Sequence, residues 1–133
     1  MALLIGALLA LGVGVFATGV GLDRDRSFYP VVMIVIAILY VLFAVMGGST
    51  HALLWELVLC VAFCAMAVIG FKGSLWVVVA ALAAHGVQDS FHTRVIANPG
   101  VPSWWPGFCL TYDVVAAGYL AWLLRGGRLR ARL

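Results

Sequence analysis

The stretch FYPVVMIVIAILYVLFAVM, residues 28–46, decides the fold: it carries no charged side chain, and only the hydroxyls of Tyr29 and Tyr40 offer polar side-chain atoms. An α-helix crossing a bilayer needs about 20 predominantly apolar residues. This run meets that requirement, is strongly β-branched, and is expected to face lipid. Working outward, similar apolar runs occupy about 2–22, 52–71, 75–94 and 108–124, separated by LDRDRS, GGSTH, FKGS and ANPGVPSWWPG. The sequence therefore predicts an all-α integral membrane bundle of five transmembrane helices forming one domain over residues 1–133. The first run has no basic n-region and no polar cleavage region, so it is expected to stay as a helix and not to be removed as a signal peptide.

Composition agrees with that reading. Apolar residues make up 65% of the 133 positions and charged residues 10%, whereas charge in a soluble domain approaches about a quarter. Much of the net charge of +3 comes from a tail of arginines, Arg125, Arg128, Arg130 and Arg132, directly after an apolar run. Such a juxtamembrane cluster suits anionic lipid and implies no nucleic-acid partner. Cys60, Cys64 and Cys109 all lie inside apolar runs with neither redox nor zinc-finger spacing, and read as buried packing residues.

Five spans place Arg24, Arg26, Lys72 and the tail arginines on one side and Arg94 alone on the other. The positive-inside rule then predicts a cytoplasmic C-terminus and an outside N-terminus. A four-span count would split the basic loop from the tail and weaken the asymmetry. In the first run, Gly6, Ala10, Gly14 and Thr18 recur at every fourth position and form a ridge of small side chains. A second helix can approach closely there, within the chain or in a homo-oligomer.

Ionisable groups within a bilayer are expensive, so each is a functional candidate. Here they are Glu56, His85, Asp89, His92 and Asp113, with His51 and Arg94 at the edge. Under the five-span topology, Glu56, Asp89, His92 and Asp113 fall in the outer leaflet and His85 about halfway across. In HGVQDSFH, His85, Asp89 and His92 stand at i, i+4 and i+7, within about 60° of one helix face. That face must look inward. His85 and His92 are about 10 Å apart along the axis, so one ion would take two of the three residues, completed by Asp113 or Glu56; two ions bridged by Asp89 is the other geometry. Mixed imidazole and carboxylate ligands suggest a divalent metal, zinc first, with iron, copper or manganese able to use the same residues. Glu56 and Asp113, helped by Tyr112, are candidates for acid–base work. Asn98, Trp104, Trp105 and His51 would line the outer mouth and hold an amphipathic ligand. A purely structural account stands beside this: Arg94 paired with Asp89 or Asp113, His85 bonded to a carbonyl, Glu56 set against His51, and the tryptophans as interfacial anchors.

The segment from HGVQDSFH through NPGVPSWWPGFCLTYD, residues 85–113, resembles a signature of small bacterial and fungal polytopic membrane proteins. The resemblance implies a membrane location, in a bacterium the inner (plasma) membrane, and no activity. In residue type the constellation is also similar to intramembrane hydrolases of the ceramidase and adiponectin-receptor type, which hold zinc with His and Asp, and to sterol isomerases of the emopamil-binding type, which use no metal. Both have different helix patterns, so these are likenesses of chemistry. The leading expectation is a membrane-embedded, metal-dependent enzyme acting on a lipid or isoprenoid-like substrate. Alternatives are a metal-free isomerase or cyclase using the same residues, a proton or ion transporter, and an accessory subunit binding haem through His85 or His92.

Overall fold

A computed structural model describes residues 1–132. Six helices follow one another: α1 (Ala2–Val20), α2 (Phe28–Met46), α3 (Thr50–Lys72), α4 (Trp76–Asp89), the single turn α5 (His92–Val95) and α6 (Trp105–Arg125). No strand occurs among the described residues. Four helices, α1, α2, α3 and α6, are long and apolar enough to cross a membrane. The chain has the build of a membrane protein.

The single helix expected over 75–94 is corrected by the structure. α4 has 14 residues, about 21 Å at 1.5 Å per residue and short of a hydrocarbon core of about 30 Å. It ends because the Ser90 hydroxyl donates to the Val87 carbonyl at 2.6 Å and the amides of Ser90 and Phe91 bond three residues back, to Val87 and Gln88. Local side-chain bonding of this kind competes with the helical ladder. Phe91 then departs from helical geometry (φ −126°, ψ 4°) and the chain restarts at His92 in a new direction.

α2 presents one side outward, with Val31, Val35, Ile38, Leu42 and Val45 exposed, while its other side lies along α3 and α4, burying Tyr29, Met33, Ile36, Ala37, Tyr40 and Ala44. These residues recur at three- and four-residue intervals and form one stripe. A helix apolar on every side gives no hydropathic sign of which face turns inward.

α1 packs along α6, and the ridge of small residues is the contact. Gly6, Ala10 and Gly14 are buried, with Ala17 continuing the row. A Cβ on Gly6 would overlap the Phe108 carbonyl and the Thr111 hydroxyl. The ridge is thus filled by α6 of the same chain. Thr18, at its end, bonds to Asp23 at 2.7 Å and to Tyr119 at 3.1 Å.

At one end of the bundle, Arg26 gathers three segments. Its backbone is left-handed (φ 70°), and its buried guanidinium donates to the carbonyls of Gly70, Phe71 and Gly73, at the end of α3, and of Arg130 in the tail. The Leu75 amide also donates to the Ala131 carbonyl at 2.8 Å. The α1–α2 loop, the α3–α4 turn and the tail therefore meet at this end.

Candidate functional site

The other end holds the polar residues. Glu56 lies in the second turn of α3, Tyr40 is six residues before the end of α2, and Asp113 is eight residues into α6. His85 and Asp89 close α4, and the break at Ser90–Phe91 swings His92 away from them. The loop after α5 lies on α2: Asn98 donates from Nδ2 to the Tyr40 carbonyl at 3.2 Å, and Gly100 is so close to the Phe43 carbonyl that a Cβ would overlap it.

The residues form two groups joined by Tyr40. In the first, His85 Nδ1 lies 2.7 Å from Asp113 Oδ2 and 3.5 Å from Asp89 Oδ2, while the Cys109 thiol reaches Asp113 Oδ2 at 3.8 Å. All four side chains are buried, and one ligand atom from each lies within 4.8 Å of the others. The ring of Phe63 meets His85 edge-on, with centroids 4.8 Å apart. In the second group, His92 Nε2 lies 2.7 Å from Glu56 Oε1, and Asn98 Nδ2 donates to the same oxygen at 2.9 Å. Tyr40 donates its hydroxyl to Asp89 Oδ1 at 2.6 Å and stacks its ring on His92 at 4.1 Å.

The first group could hold a metal ion. Ligand atoms bound to a tetrahedral ion at about 2.0–2.3 Å lie about 3.3–3.8 Å apart. The His85–Asp89 and Cys109–Asp113 separations already fall near that range. The His85–Asp113 contact would have to open, and the pairs that reach out to 4.8 Å would have to draw in. Asp89 Oδ2 and Asp113 Oδ1 are buried with no hydrogen-bond partner, and buried carboxylate oxygens without donors are costly unless a cation or a proton meets them. One imidazole also cannot balance two carboxylates, whereas a divalent cation can.

The expected ligand set is thus brought together in part. His85, Asp89 and Asp113 converge. His92 lies outside their group, held by Glu56, because the helix break removes it from the shared face; its Nδ1 is buried and unpartnered. Cys109, buried in the core as expected of a packing residue, also stands close enough to be a fourth donor. Tyr40 was also missed as a site residue. Both had a faint signal: Cys109 stands at i, i+4 to Asp113, and Tyr40 is a lone hydroxyl deep in an apolar run.

The other expected residues lie further out. Tyr112 is half-buried on α6 and lines an apolar cleft beside Cys109. Trp105 lines the same cleft, but Trp104 is 53% exposed. Asn98 reaches Glu56, as described. His51 is exposed at the start of α3, without a bond to Glu56, and Arg94 is exposed and pairs with neither aspartate.

Fold and site together define a helical membrane protein with a buried centre of imidazole, carboxylate and thiol groups near one end. No family model matches the chain, and no curated protein or solved structure is significantly similar to it.

Proposed function

We propose that the protein is a membrane-embedded enzyme that binds a divalent metal through His85, Asp89, Cys109 and Asp113 and acts on a lipid or isoprenoid-like substrate. The observation carrying this reading is the convergence of two aspartates on one imidazole, with a buried unpartnered oxygen on each aspartate. Four such ligands would fill a tetrahedral ion, so a bound divalent ion would need a fifth position, or the release of one ligand, to supply Lewis acidity to a water or a substrate hydroxyl. Zinc fits the mixed N, O and S donors best, with iron, copper and manganese as the other candidates. The chain's own residues contribute the rest. Tyr40 orients Asp89, Asn98 orients Glu56, and the Glu56–His92 pair is set to accept or deliver a proton. The substrate is proposed as a membrane lipid because the centre adjoins an apolar cleft and is shielded from water.

The topology belongs to the same proposal. Five traverses, with α4 and α5 together making the fourth, put α1 and α6 termini on opposite sides. The meeting of the α1–α2 loop, the α3–α4 turn and the tail at the Arg26 end supports that count. Arg24, Lys72 and the four tail arginines belong to these same segments, which favours placing that end in the cytoplasm.

Metal analysis of detergent-purified protein tests the reading. About one equivalent of metal is expected in the wild type, lost in His85→Ala and Asp113→Ala and kept in His92→Ala. A wild type that neither retains nor rebinds zinc, iron, copper or manganese overturns it. The two 2.7 Å contacts, His85–Asp113 and His92–Glu56, would then favour the second reading, a metal-free isomerase or cyclase working through these pairs.

A further inference from the structure

α1 and α2 follow each other in sequence, yet α1 packs along α6 and α2 along α3 and α4. Between them runs an apolar cleft of about 380 Å³, walled by residues that include Leu9 of α1, Val35 and Ile36 of α2, and Trp105, Phe108 and Cys109 of α6. Its size is that of a small-molecule site, for which about 300–1,000 Å³ is usual.

Two observations distinguish this cleft from a gap filled by bulk lipid tails. The first is continuity with the polar centre: Cys109 stands in the cleft wall, and its thiol contacts Asp113 behind it. The second is an unmet donor. Trp105 lines the same wall, and its indole N–H is buried with no acceptor. An indole N–H can only donate, and a buried donor calls for an oxygen or other acceptor. A pure hydrocarbon cannot supply one, and water is disfavoured between walls this apolar.

We propose that the cleft binds a single-chain lipid, an acyl or isoprenoid chain with one head-group oxygen, entering sideways from the membrane between α1 and α2. Its chain lies along Leu9, Val35 and Ile36 with its oxygen beside Cys109, and the Trp105 indole turns on binding to bring its buried N–H to that oxygen. The proposal rests on the metal-enzyme reading in one respect, that the buried group behind Cys109 is the reactive end. It narrows that substrate to a single-chain lipid with one head-group oxygen and adds the route of entry.

The test uses the full chain in phosphatidylcholine vesicles, a long-chain alcohol carrying a diazirine, and the matching diazirine alkane without oxygen. Crosslinks are mapped by mass spectrometry, and metal content is measured on the same preparations. Alcohol crosslinks are expected to concentrate on Leu9, Val35, Ile36 and Phe108. Val35→Trp should fill the cleft and reduce them about tenfold. Val35 is 52% exposed, so the fold has room for the larger ring, and unchanged metal content and circular dichroism check this. Trp105→Phe should weaken alcohol labelling about fivefold, the scale of one hydrogen bond, and leave alkane labelling unchanged.

Labelling spread evenly over the lipid-facing helices, or indifferent to Val35→Trp, overturns the proposal. Equal loss of both probes in Trp105→Phe overturns the head-group assignment. The two readings fail separately: cleft labelling without metal defeats the metal-enzyme reading alone, and metal with uniform labelling defeats the lipid site alone.

Discussion

Two buried tyrosines on α2 make a controlled comparison. Tyr40 and Tyr29 are 2% and 4% exposed, but the Tyr40 hydroxyl donates to Asp89 at 2.6 Å while the Tyr29 hydroxyl is buried without a partner. Changing either to Phe keeps the ring and removes one oxygen. At Tyr40 the loss falls on a buried carboxylate whose other oxygen already has no hydrogen bond, and whose remaining neighbour is His85 at 3.5 Å. A hydrogen bond to a charged group contributes about 1.5–3 kcal/mol. Tyr40→Phe should therefore destabilise by about 2 kcal/mol, roughly 30-fold in the unfolding equilibrium. Tyr29→Phe removes a polar atom that was buried at a cost, so it should change stability by less than about 0.5 kcal/mol or raise it. Reversible unfolding in mixed micelles titrated with sodium dodecyl sulfate, followed by tryptophan fluorescence, measures both. Equal effects of the two substitutions, or a larger one at Tyr29, would refute the assignment of Tyr40 as the support of Asp89.

Three further outcomes are expected. Gly6→Ala, which drives a Cβ into the Phe108 carbonyl, should cost about 2 kcal/mol or more, whereas Gly12→Ala, with open space around it, should be neutral or slightly stabilising in the same titration. Arg26→Ala should destabilise by about 2–4 kcal/mol, and removing residues 130–133 in that background should cost clearly less than removing them from the wild type, which a double-mutant cycle reads. Asn98→Ala withdraws one donor from Glu56 and one from the Tyr40 carbonyl, about 1–2 kcal/mol together; faster proteolysis within residues 97–103, without faster cleavage elsewhere, is the expected sign.

Much of the bundle was legible because apolar runs of spanning length leave few alternatives: the boundaries expected for α2 match the structure, and those for α1, α3 and α6 are displaced by a few residues. The site was legible in outline for a related reason. Glu56, His85, Asp89, His92 and Asp113 stand out in so apolar a chain, and their gathering near one end follows from their depth along each run. What escaped was direction. Hydropathy could not show that α2 turns Tyr40 inward. Nor could periodicity foresee the break after Asp89, which depends on a serine hydroxyl and a change at Phe91, and which separates His92 from the face that strict helical geometry assigned it. Cys109 was hidden by its own character, since a thiol among apolar neighbours packs like a small hydrophobe.

The arrangement around Arg26 has a consequence for biogenesis. Synthesis delivers this guanidinium 104 residues before the backbone oxygen of Arg130, so a nascent chain carries a partly satisfied cation until that segment is made. Assembly of this end is thereby deferred until residues 130 and 131 are in place, and a bulky insertion between residues 125 and 130 would intrude on that step.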